Sequence, residues 1–62
     1  MNKHETREII KLHRFAGAGA DLGMLARSLS ALIRAARTAK SRAALMQYAP
    51  VFGVTNHPDF II

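Results

Sequence analysis

The sequence predicts an all-α fold. It reads as an antiparallel helical hairpin, with a short helix over about residues 3–16, a longer one over about 21–48 and an apolar C-terminal tail over about 51–62. Three observations predict it. Apolar residues recur at the helical period in two segments, a glycine-rich stretch separates those segments, and Pro50 closes the second. All 62 residues are expected to form one helical interaction domain, near the lower limit at which a chain buries enough surface to offset its backbone entropy.

The first helix starts at Asn2, whose side chain can accept a free backbone N–H while Glu5, three positions on, reaches back. At about 100° per residue, Ile9, Leu12, Phe15 and Ala16 fall on one face, with Lys3, Arg7, Lys11 and Arg14 opposite. Ile10 lies outside this stripe and is read as an ordinary exposed apolar residue in preference to the edge of a second contact surface. Gly17-Ala18-Gly19-Ala20-Asp21 then makes continuation costly and offers Asp21 as the next helix cap. A phosphate-cradling role for this turn is set aside. No strand precedes it, the lysine and hydroxyl of such loops are missing, and Asp21 would repel the anion.

The second helix has the strongest period, with Leu22, Leu25, Ala26, Leu29, Leu32, Ile33 and Ala36 in one arc. Arg27, Ser30, Arg34, Arg37, Thr38 and Ser41 share the opposite arc, a basic and hydroxyl-dotted surface. Lys40 falls inside the apolar arc. Either its stem snorkels outward, or the helix breaks near Ser41 and that residue caps a third helix. High alanine and leucine content favours the unbroken helix, bent or straight. Pro50 disfavours helical geometry at Ala49, so the helix is expected to stop near Tyr48.

Beyond Pro50, Val51-Phe52-Gly53-Val54 reads as extended, Thr55 to Asp59 as a turn, and Phe60-Ile61-Ile62 as an apolar end. Val51, Phe52, Val54 and Phe60 are expected to fold back over the hairpin or across a dimer seam. The expected core and dimer interface comprise Leu12 and Phe15, then Leu22, Leu25, Leu29, Leu32 and Ile33, and finally Phe52 and Phe60. Phe15 and Leu12 are expected to seat against Leu29 and Leu25. Only four residues are aromatic and none is cysteine, so no disulfide reinforces this thin core and self-association is the remaining route. A homodimer follows, with two hairpins forming a four-helix bundle whose basic faces point outward.

Net charge is +5, and the segment from Leu22 to Pro58 holds Arg27, Arg34, Arg37, Lys40 and Arg42 without one carboxylate. These five are candidate nucleic-acid contacts, forming a weak and largely sequence-independent phosphate-binding surface. A helix-turn-helix is not expected, because no glycine marks a turn between Leu22 and Tyr48. Catalysis is not expected either. His4 and His13 fall on opposite faces of the first helix, His57 reads as a turn residue before Pro58, and the four carboxylates form no acid–base pair. No catalytic, cofactor-binding or metal-ligating residue is assigned, and no cofactor is expected. No apolar run reaches the roughly 18 residues of a membrane span, and the N-terminus lacks a signal peptide's apolar stretch. A cytoplasmic protein without membrane association is expected.

The charged opening Asn2-Lys3-His4-Glu5-Thr6-Arg7-Glu8, the hinge from Gly17 to Asp21 and the leucine/arginine helix after it carry a further likeness. Over most of its length the chain resembles the small orphan accessory proteins of the early leftward region of lambda-like phages. The resemblance transfers no functional residue. It implies an accessory or regulatory protein acting on a host factor, in line with a non-enzymatic protein-interaction module. Weak nucleic-acid binding through the basic helix faces is the alternative.

Overall fold

The computed structural model describes residues 1–60, which form four helices and no strand: α1 (Lys3–Gly17), α2 (Leu22–Ala35), α3 (Ala39–Met46) and α4 (Tyr48–Phe52). The start of α1 is the expected reciprocal cap. The Glu5 N–H donates to Asn2 Oδ1 at 2.8 Å and the Asn2 N–H donates to Glu5 Oε1 at 3.1 Å. Its end is set by Gly19, whose φ is 86°. The Ala20 N–H reaches the Phe15 carbonyl at 2.9 Å and the Gly19 N–H reaches that of Ala16 at 3.2 Å. This pair of bonds closes a helix through a left-handed glycine. Asp21 then caps α2, accepting the Met24 N–H at 2.7 Å.

The long second helix expected over about 21–48 is interrupted. Ala36 at ψ 131° and Thr38 at ψ 153° are extended, and the Thr38 hydroxyl, in place of Ser41, caps the next helix by accepting the Ser41 N–H at 3.0 Å. An unbroken helix would drive Lys40 into the apolar stripe. The break turns Lys40 to solvent, and Arg42 Nη2 donates to the freed Ala36 carbonyl at 3.4 Å. Alanine and leucine propensity favoured continuity by tenths of a kcal/mol, and the larger cost of burying an unpaired ammonium outweighs it.

Helix α4 is the second departure, since Ala49 and Pro50 are helical within it. Pro50 sits in its first turn, where backbone N–H groups lack intrahelical acceptors, so its missing donor costs little. Gly53, at φ 73°, ends α4 with the same closure as Gly19. The Val54 N–H meets the Ala49 carbonyl at 2.9 Å and the Gly53 N–H meets that of Pro50 at 3.2 Å. Val51 and Phe52 are therefore helical and not an extended tail; only from Gly53 does the chain leave helix.

Helix α2 packs against the other three. Its Leu25, Ala26, Leu29 and Ile33 meet Ile9 and Leu12 of α1, Leu45 of α3, Ala49 and Phe52 of α4, and Val54. Leu32 and Phe60 pack half-buried on this cluster. Phe15 and Leu22, expected in the core, are 45% and 47% exposed. They occupy the last turn of α1 and the first of α2, beside the connecting turn and beyond the layer that the later helices cover. The C-terminal half of α1 instead meets α4 through His13, whose ring lies 4.9 Å from Phe52 and 5.9 Å from Tyr48.

The outer face of α2 is also partly covered. Ser30, expected on the solvated arc, is buried, and its hydroxyl donates to the Asp59 carbonyl at 3.5 Å. Arg27 pairs with the Asp59 carboxylate at 3.0 Å. Gly23 leaves room for that pair, because a Cβ there would lie 3.1 Å from Asp59 Oδ2 and 3.2 Å from Arg27 Nη1. Of the residues expected to fold back, Phe52 and Val54 are buried and Phe60 half-buried, whereas Val51 is 61% exposed. The remainder of the apolar end, Ile61 and Ile62, lies outside the described residues.

Candidate functional site

Each of the four Asp and Glu side chains makes a hydrogen bond or an ion pair. Glu5 is buried in the α1 cap, Glu8 pairs with Lys11 at 3.1 Å, Asp21 caps α2, and Asp59 holds Arg27. His57 Nδ1 accepts the Asp59 N–H at 3.0 Å, and its 3.9 Å approach to the Asp59 carboxylate belongs to the same turn. Among the described residues no group of three or more His, Cys, Asp or Glu side chains could hold a metal. Nor is any helix there long and apolar enough to cross a membrane.

The cations are distributed differently. All nine Lys and Arg residues are exposed, yet only Lys11 and Arg27 meet a carboxylate among the described residues. Of the five candidate phosphate contacts, Arg27 is thus committed to the C-terminal segment. Arg34, Arg37, Lys40 and Arg42 lie close together in the chain around the joint where α2 passes into α3. There a cleft of about 290 Å³ is lined by Asn2, His4 and Glu5 from the start of α1 and by Leu32, Ala35 and Arg37 from the end of α2 and its turn. At the opposite end of the α1–α2 pair Phe15 and Leu22 flank the connecting turn, half-exposed beside the exposed Arg14 and Asp21.

Of the expected core residues, the structure brings Leu12, Leu25, Leu29, Ile33 and Phe52 together, with Leu32 and Phe60 at the margin. It leaves Phe15 and Leu22 outside. Sequence reasoning missed the cap at Thr38, although a hydroxyl three residues before Ser41 in an alanine-rich stretch was its signal. The Arg27–Asp59 pair and the burial of Ser30 carried no local signal, because Asp59 lies 32 residues from Arg27. No family model, curated protein or solved structure matches the chain.

Proposed function

We propose that the chain is a non-enzymatic protein-interaction module that pairs with a second copy through the apolar edge at the α1–α2 turn. The observation that carries this reading is the half-exposure of Phe15 and Leu22, two large members of the main apolar stripes, on either side of one turn. Covering each would return about 1 kcal/mol, and a two-fold axis applies that gain to both copies at once. The core beneath is small and three of its members are alanine, so added burial matters for stability.

The cleft shared by the start of α1 and the end of α2 supports the antiparallel hairpin, and two such hairpins meeting edge to edge would make a four-helix bundle. The engagement of all four carboxylates supports a role without acid–base chemistry. In this reading the dimer is a cytoplasmic accessory or regulatory protein, of the kind the phage resemblance implies, with a host protein as its further partner. Isotope-filtered nuclear magnetic resonance on mixed labelled and unlabelled chain tests the edge. Intermolecular contacts from Phe15 and Leu22 are expected, and their absence at tens of micromolar would remove the dimer.

A further inference from the structure

We propose that the end of the molecule where α2 passes into α3 docks the phosphate backbone of duplex nucleic acid, on a surface separate from the apolar edge. Arg34, Arg37, Lys40 and Arg42 are all exposed there, and none meets a carboxylate among the described residues. The helix break builds this cluster. It turns Lys40 outward, and the Ala36 carbonyl holds the Arg42 guanidinium at 3.4 Å against the turn.

Helix α1 adds to the same end, because His4 and Arg37 line one cleft. The one acid lining that cleft, Glu5, is 5% exposed and accepts the Asn2 N–H at 3.1 Å. Its carboxylate lines the same cleft and offsets one of the cations around it. Four exposed cations against that one carboxylate leave a positive local potential, which favours a polyanion over a neutral partner.

The remaining surface chemistry selects among polyanions. Single strands are held by aromatic platforms, but Tyr48 and Phe52 stack on each other at 6.0 Å, Phe60 packs on the core, and the half-exposed Phe15 lies at the far end of the α1–α2 pair. A lipid interface wants large apolar side chains beside the cations. Among the exposed large hydrophobics Met1 precedes α1 and Ile10 lies two turns into it, Met46 and Val51 lie on α3 and α4, and Phe15 and Leu22 lie at the far end of the α1–α2 pair, so none falls on the segment from Arg34 to Arg42. Cations on a helix joint that meet phosphates position a duplex without reading its sequence.

Fluorescence anisotropy of a labelled mixed-sequence duplex of about 20 base pairs, titrated with the full chain at about 50 and 200 mM salt, tests this. Four contacts, from Arg34, Arg37, Lys40 and Arg42, give a log–log salt slope near −3.6, a loss of roughly 150-fold across that interval. Arg37→Ala with Lys40→Ala should reduce the slope by about 2 while leaving the circular dichroism unchanged, and Arg34→Ala with Arg42→Ala should do the same. Arg14→Ala, at the far end of α1, and Phe15→Ser with Leu22→Ser should leave it unaltered, so a failed dimer does not obscure the result. The proposal is overturned by no binding at about 50 mM salt, or by an unchanged slope in both double variants. Tighter binding to a single strand of equal length, or to phosphatidylserine vesicles, also overturns it.

Discussion

Two glycines close together in the chain should respond in opposite directions to the same substitution. Gly17 is the last residue of α1, whereas Gly19 has φ 86° in the turn behind it. A Cβ at either position meets nothing within 4 Å, so side-chain crowding plays no part and only backbone preference decides. Gly17→Ala should stabilise by about 0.5–1 kcal/mol, because alanine loses less freedom in helix than glycine. Gly19→Ala should cost about 1–2 kcal/mol, the steric penalty of an L-residue in the left-handed region. The two variants then differ by about 2 kcal/mol, which for a domain of this size separates their melting temperatures by about 8–16 °C. Thermal melts followed at the helical circular dichroism band measure the difference, and Gly19→Asn should recover part of the loss. If Gly19→Ala melts at or above the parent chain, or if both variants shift the same way, α1 does not end through residue 19.

Leu29→Asp should abolish the helical signal, because Leu29 is wholly buried on α2 and nothing there can pair a carboxylate. Leu45→Ala should lower unfolding free energy by about 2–5 kcal/mol in a denaturant titration if α3 is docked as described, and by almost nothing if it is frayed. Thr38→Ala should cost about 1 kcal/mol by the same measurement, through loss of the cap on Ser41. Asp59→Asn should cost under about 1 kcal/mol, because the Arg27 and Asp59 side chains are 63% and 42% exposed and their attraction is screened. That small loss should vanish in high salt.

Local chemistry made the early part of the fold legible. The Asn2/Glu5 cap, the turn from Gly17 to Asp21 and the Asp21 cap depend on residues three or four positions apart, and each stands where its residues placed it. The α2 stripe was legible for the same reason. The helix break was visible only as a conflict, with Lys40 inside an apolar arc, and propensity pointed the wrong way because it carries no term for a buried charge. Pro50 misled because its effect depends on its place in the helix: in a first turn it removes a donor that has no intrahelical acceptor. Phe15 and Leu22 belonged to the right stripes, but periodicity along one helix does not say how far the neighbouring helices reach. The cation cluster was readable as residue types. Its gathering around one joint was not, because that required both the break and the approach of α1.

Self-association through the α1–α2 edge is the claim on which the functional reading rests, and sedimentation equilibrium at tens of micromolar tests it most directly. The account predicts a mass twice the 6.8 kDa of the chain, falling to the single-chain value when Phe15→Ser and Leu22→Ser are combined. A mass of 6.8 kDa for the parent chain, unmoved by those substitutions, would contradict it.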